Sequence, residues 1–263
     1  MYPNVLFLGM TMYDILFALG VLGALVVFRV LSDKRGREAR LFNFSLVTGV
    51  AAIIGGVVSS VLFQAFYNFG ATGVFEINAS TGMTFYGGLI GGVVVFLSVY
   101  LGVGHFVFKD KSHLADIADL ADTAACSIAV AHATGRLGCF FAGCCHGIAA
   151  EPPLGIYMEF AGEHVLPVQL YESVFLYVLT ALLIRRYLAK KPYNMSIYMA
   201  GYGLWRFFIE YLRGDERGAS LIKFLSPSQL TAVILIIGGA ALFYIQYRLN
   251  RRKAVAHESE DKP

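Results

Sequence analysis

Long apolar runs separated by short, mostly basic intervals dominate this chain. A helical run of about 20 residues spans roughly 30 Å of hydrocarbon. By that measure the pattern predicts seven spans, over 12–31, 42–67, 85–108, 116–135, 168–188, 195–212 and 228–247. The expected fold is therefore an all-α polytopic membrane protein, with a single membrane-embedded domain over 1–248. A segment over about 139–167, containing EPPLGIYMEFAGEHVLP, reads as a small extracytoplasmic element with some strand character. The polar stretch 249–263 reads as a disordered tail. The first apolar run has no basic stretch before it and no small-residue cleavage site after it, so it reads as a retained span.

Composition agrees with this class. Hydrophobic residues make up 57% of the 263, charged residues 15%, and mean hydropathy is +0.63, whereas a soluble domain carries about 25% charged residues. The net charge of +3 matters less than its distribution. Arg29, Lys34, Arg35, Arg37, Arg40, Lys109, Lys111, Arg185, Arg186, Lys190, Lys191, Arg248, Arg251, Arg252, Lys253 and Lys262 all fall on one side of the spans. Arg136, Arg206, Arg213, Arg217 and Lys223 fall within spans or on the other side. The excess of Lys and Arg on cytoplasmic loops then puts the N-terminus outside and the C-terminus in the cytoplasm. These basic loops read as topology signals, and no nucleic-acid partner is expected.

Two arginines stand where the apolar pattern leaves no room for charge. Arg136 closes the fourth run, and Arg206 lies in the middle of MSIYMAGYGLWRFFIEYL (195–212). An arginine near mid-bilayer costs about 3 kcal/mol or more unless it faces a protein interior or polar cavity and is paired. Guanidinium grips phosphate bidentately and stays charged when desolvated. Two such residues beside glycines and aromatics point to an anionic phospholipid. Tyr202, Arg206 and Glu210 recur at i, i+4 and i+8, along one helical face. The alternative is an Arg206–Glu210 pair that neutralises itself while the helix packs.

Other polar residues carry two readings each. Gln169, Tyr171 and Glu172 open the fifth span, where an acid at a helix start is also favoured by the helix dipole. His132 lies one turn before Arg136. It is a candidate base, or a side chain bonded to a neighbouring carbonyl. Asp116, Asp119 and Asp122 open the fourth span, and solvation with the N-terminal preference of acids accounts for at least Asp116 and Asp119. Gly82, Gly87, Gly88, Gly91 and Gly92 read as close helix packing, or as a backbone approach to a ligand. Cys139, Cys144, Cys145 and His146 lack the spacing of a zinc site. They read as small packing residues, although a disulfide from Cys139 to Cys144 or Cys145 is allowed outside the cytoplasm. Cys126 lies within a span.

Four motifs, in order, resemble those of the bacterial prolipoprotein diacylglyceryl transferases. They are MTFYGGLIG (83–91), GRLGCFFAGC (135–144), PVQLYE (167–172) and GYGLWRFFIE (201–210). The resemblance runs from about Met12 to Arg248. It implies transfer of the diacylglyceryl group of phosphatidylglycerol to the lipobox cysteine of a preprolipoprotein, in the bacterial cytoplasmic membrane, with no cofactor and no metal. It also implies catalytic or phospholipid-binding roles for Arg136, Arg206 and Tyr202, while Tyr86, His132 and Glu172 are the candidates for a proton relay. Tyr13, Gly87, Gly88, Gln169, Tyr171, Glu172 and Glu210 match substrate-binding positions. The chain departs from the family where Tyr86 replaces a histidine and Asp14 replaces a glycine. It departs again where Cys139 and Ala142 replace two asparagines and Cys144 replaces a glutamate. Tyrosine, with a reference pKa of about 10, is a poor base at neutral pH. A different acceptor and a non-catalytic lipid-binding protein are the alternative functions.

Overall fold

The computed structural model describes residues 9–78, 81–214 and 224–260. Most of the outward segment 213–227, including Arg217 and Lys223, and the first eight residues therefore lie outside the described residues. The chain forms two compact units, one of residues 35–120 and one that joins the residues up to 34 to those from 121 onward.

In the unit of residues 35–120, α2 (Ala39–Thr72) packs against α3 (Phe85–Leu97), which continues through a π-helical turn, Ser98–Val103, into α4 (Gly104–Val107). The glycine-rich start of α3 serves this packing. A Cβ on Gly87 would lie 2.6 Å from Phe63, and one on Gly56 would lie 2.9 Å from the Gly88 carbonyl. Membrane helices use small residues in this way because close backbone contact replaces hydrophobic drive between helices. Arg37, with a side chain 1% exposed, pairs with Asp116 at 3.1 Å and Asp119 at 2.7 Å. Arg35 adds a longer contact to Asp119, 3.6 Å. Asp116 and Asp119 are thus counter-ions of a nearly sealed arginine, beyond the solvation and dipole roles that the sequence suggests for them. An unpaired guanidinium at Arg37 would be strongly destabilising.

The second unit holds α1 (Met12–Lys34), most of α5 (Ser112–Ala142), α6 (Val168–Leu188), α7 (Asn194–Ile209) and α8 (Pro227–Glu260). Its core joins Leu31, Cys126, Ala129, Leu179, Leu183 and Tyr187. Gly203 of α7 meets the Ala232 carbonyl and Ile236 of α8, so a side chain there would separate the two helices. Helix α5 runs past residue 135 to Ala142, because its first interruption is Gly143, whose φ of 74° ends the helix in the left-handed region. Beyond it lies the expected strand element. Ile156–Met158 (β1) pairs antiparallel with Glu163–Val165 (β2), and Met158 and Val165 turn into the core.

Among the described residues, five helical segments are long and apolar enough to cross a membrane: Met12–Lys34, Ala39–Gly70, Tyr86–Val107, Val168–Leu188 and Pro227–Arg251. Helix α7 has 16 residues, and α5 carries His132 and Arg136 within its apolar stretch. Helix α8 continues through residues 249–260, where the polarity of the sequence suggests an irregular tail. Arg, Lys, Ala and Glu are good helix formers, and they prolong a helix already nucleated upstream.

Asp122 settles how α7 begins. Its carboxylate is 5% exposed and accepts from the backbone N–H groups of Tyr193 at 3.0 Å and Met195 at 3.1 Å. Asp122→Ala should cost about 1–2 kcal/mol, as loss of a helix cap does, and should lower the unfolding midpoint in detergent. Asp33→Ala, which removes the exposed pair of Asp33 with Arg29, should leave the midpoint nearly unchanged. An equal fall in both variants would refute the capping role.

Candidate functional site

Three helices of the second unit meet at one carboxylate. On α6, Gln169, Glu172, Ser173 and Leu176 share the inward face at the spacing of 3, 4 and 7 residues that helix geometry requires. Ser173 ties this face to α5 by donating to the Ala133 carbonyl at 2.9 Å. Glu172, with a side chain 0% exposed, pairs through Oε1 with Arg136 Nε of α5 at 3.1 Å. The same oxygen accepts from the Tyr202 hydroxyl of α7 at 2.7 Å. Arg136 closes the triangle by donating from Nη2 to the Tyr202 hydroxyl at 3.4 Å. Its side chain keeps 17% exposure, whereas that of Glu172 has none.

A second ionic group lies one turn further along α7. Arg206 donates from Nη2 to Ser228 Oγ at 2.8 Å and pairs with Glu210 Oε2 at 2.7 Å. Glu210 accepts from Ser226 Oγ at 2.7 Å, and Arg213 approaches the same carboxylate at 3.9 Å. The Arg206–Glu210 pair anticipated as self-neutralising therefore exists, but one carboxylate faces two guanidiniums. In these two groups Arg136 pairs with Glu172, and Arg206 and Arg213 both approach Glu210. Arg206 Nη1 and Glu172 Oε2 are buried without a hydrogen-bond partner. A buried donor left in this state costs about 1–3 kcal/mol, and an anionic oxygen is the chemical group that would satisfy it.

His132 packs its ring on Tyr202 with centroids 4.5 Å apart, and its Nδ1 lies 3.0 Å from the Tyr198 hydroxyl. It belongs to the same layer as Arg136, with its ring nitrogen engaged by a tyrosine and not by a carbonyl. Tyr13 of α1 lies over Gly138, two residues past Arg136 on α5. Tyr171 is about 100° around α6 from Glu172 and is half-buried. Tyr86 opens α3 in the unit of residues 35–120 and is 38% exposed, while Gly87 and Gly88 of that unit pack on α2.

The thiols are not scattered packing residues. The Sγ atoms of Cys139, Cys144 and Cys145 lie within 4.8 Å of one another, and all three residues are half-buried. Cys145 is held at φ 62°, in the left-handed region. Gln169 Nε2 donates to the Cys144 carbonyl at 2.6 Å, which anchors the cysteine turn to α6. Hydrogen bonds from the Cys139 and Cys144 thiols hold Cys145 well below the ordinary thiol range, with the nearby Arg213 guanidinium adding to the effect. Cys144 is raised by the same interactions and by burial. Ser226, Ser228 and Tyr198 were not singled out from the sequence. Tyr198 alone left a trace there, one turn before Tyr202 on its stripe.

The model of the prolipoprotein diacylglyceryl transferase family matches residues 3–245. A Clostridium tetani protein named phosphatidylglycerol–prolipoprotein diacylglyceryl transferase is 33% identical over 241 residues, 89% of this chain and 92% of its own length. One from Clostridium perfringens, named phosphatidylglycerol–prolipoprotein diacylglyceryl transferase 2, is 30% identical over 249 residues, 92% of each chain. One from Clostridioides difficile, with the same name as the Clostridium tetani protein, is 29% identical over 252 residues, 94% of each.

The geometry makes Glu172 and Arg136 energetically inseparable. Removing either partner of a buried pair costs about 3–5 kcal/mol, because the other charge is left unpaired. Glu172→Ala and Arg136→Ala should each be strongly destabilising, and the double variant should lose clearly less than the two losses together. Additive losses in a double-mutant cycle of unfolding in detergent would show that the two do not interact.

Proposed function

The chain belongs to the prolipoprotein diacylglyceryl transferase family, and from that premise we propose how its residues carry out the reaction. The enzyme transfers the diacylglyceryl group of phosphatidylglycerol to a prolipoprotein. Arg136 and Arg206 hold the lipid phosphate. The acceptor is the lipobox cysteine of the prolipoprotein signal peptide. Its thiolate attacks the glyceryl carbon of the diacylglyceryl group, a C–S bond forms, and the C–O bond to phosphate breaks. The electron pair leaves with sn-glycerol-1-phosphate, and the thiol proton passes to a basic group or to solvent. The two guanidiniums stabilise the charge that develops on the departing phosphate, the role in which preorganised cations contribute most to rate.

The observation that supports this reading is that Arg206 Nη1 is buried without a hydrogen-bond partner, one helical turn from the Tyr202 hydroxyl that Arg136 bonds. An ordinary thiol of pKa about 8.5 is already a few per cent thiolate at neutral pH, so only modest help from a base is required. His132 and Glu172, which lie in the layer of Arg136 and Tyr202, are the candidates for the relay in this unit. Gln169, Tyr171, Tyr13 and Glu210 complete its part of the lipid site, and Tyr86, Gly87 and Gly88 are proposed for the reaction on the family motif alone.

Five span-capable helices make the chain a multi-pass membrane protein. In the full proposal α5 and α7 also cross, giving seven spans, with the N-terminus outside the bacterial cytoplasmic membrane. Charged side chains inside α5 and α7 are compatible with crossing because their partners lie in the protein. Phosphatidylglycerol then enters from the outer leaflet, on the side of the 139–167 segment.

The test is transfer in vitro. Purified protein with labelled phosphatidylglycerol and a lipobox peptide should yield diacylglyceryl peptide and glycerol phosphate by mass spectrometry. Arg136→Lys, which keeps a positive charge beside Glu172 while losing the bidentate fork, should lower the rate about 100-fold, in line with loss of one preorganised transition-state contact. Wild-type rates in that variant would contradict the assignment, and lipid turnover without peptide product would point to a different acceptor.

A further inference from the structure

We propose that Cys139, Cys144 and Cys145 form a zinc site with one open coordination position, and that this position binds the acceptor thiol. The second half of the proposal rests on the transferase reading above; the first does not.

Zinc favours thiolate ligands at about 2.3 Å in a tetrahedron, which sets sulfur atoms about 3.8 Å apart. The three Sγ atoms already lie within 4.8 Å of one another, so small side-chain rotations suffice. The cluster comes from two separate features of the chain: Cys139 from the last turn of α5, and Cys144 and Cys145 from the turn after Gly143. Cys145 reaches it only by adopting φ 62°. A non-glycine residue in that region costs on the order of 1 kcal/mol and persists where the surrounding structure demands it. A cysteine that merely filled space would not require that backbone.

The surroundings match what metal–thiolate sites need. Gln169, which is 0% exposed, fixes the Cys144 carbonyl at 2.6 Å, the kind of outer contact that orients ligands. Three thiolates on a divalent ion carry one net negative charge, and the Arg213 guanidinium beside Cys145 offsets it. His146 bonds the Gly147 carbonyl through Nδ1 and is not part of the cluster, so among the described residues three ligands are in place and the proposal gives the fourth position to an incoming ligand. Structural zinc sites are closed by four protein ligands, whereas sites with three keep a place for water or substrate.

The location gives that position a use. Cys139 is three residues from Arg136 on α5, about 4.5 Å along the axis. A thiol that coordinates zinc is deprotonated outright, its proton going to solvent. The coordinated thiolate then attacks the glyceryl carbon, the thioether leaves the metal, and glycerol phosphate departs as before. Converting a thiol that is a few per cent ionised into one fully ionised raises the reactive fraction about 30-fold at neutral pH.

The experiment uses the full-length protein in detergent, reduced, stripped with a chelator, and titrated with Co²⁺ as a spectroscopic stand-in for zinc. The expected result is a thiolate-to-cobalt charge-transfer band saturating at one ion per chain. It should disappear in each of Cys139→Ser, Cys144→Ser and Cys145→Ser, and persist in Cys126→Ser. Adding lipobox peptide should intensify it as a fourth thiolate joins. Transfer should fall about 30-fold on stripping and return with Zn²⁺. No band, a band indifferent to the serine variants, or an intact mass 2 Da low from a disulfide would overturn the site. A cobalt band together with transfer that survives stripping would overturn the open-position role. A cobalt band with no transfer under any condition would leave the metal site standing and sink the transferase reading instead.

Discussion

Glu172 carries a full charge where no water reaches it, and much of the second unit is arranged around keeping it there. A carboxylate removed from solvent costs several kcal/mol until its lone pairs are satisfied. Arg136 arrives from α5 and Tyr202 from α7 to share one oxygen of a side chain on α6. Each of these contacts fixes a helix rotation as well as an energy, so α5, α6 and α7 cannot turn independently. The Ser173 bond to the Ala133 carbonyl and the Phe175–Trp205 stack at 4.3 Å hold the same registers. The pair is thus a positioning device first.

The second ionic group obeys a different balance. Glu210 serves both Arg206 and Arg213, and Ser226 and Ser228 at the start of α8 add one bond each, to Glu210 and to Arg206. Arg206 Nη1 is left buried without a hydrogen-bond partner, and the reaction of this family provides an anionic oxygen in the lipid phosphate. The buried Arg37 of the other unit shows the contrast, with two carboxylates around it.

Much of the site was legible in the sequence because charge inside an apolar run has few explanations. Arg136, Arg206, Tyr202 and Glu210 announce themselves by position and by helical spacing. Glu172 could be named, but its partner could not. A helix-start acid and a buried counter-ion look identical until α5 and α6 are placed side by side. Asp116 and Asp119 misled for the same reason, and Asp122 gave no sign that it caps a helix some 70 residues away. The glycines of α3 allowed two readings, and their packing on α2 is visible only with Phe63 and Ser60 in place. The cysteine cluster was hidden because its geometry depends on Gly143 ending α5 and on Cys145 adopting a left-handed backbone. Neither event follows from the spacing of the thiols.

Phosphate recognition by the paired arginines is the claim on which the rest of the account depends, and direct binding tests it without involving the acceptor. Affinity for fluorescent phosphatidylglycerol in mixed micelles should be measured beside that for the matching diacylglycerol, which lacks the phosphate. The account predicts clear preference for phosphatidylglycerol in the wild type, and a loss of at least tenfold in Arg206→Gln, with diacylglycerol binding unmoved. Equal affinity for the two lipids, or an unchanged preference in Arg206→Gln, would contradict it.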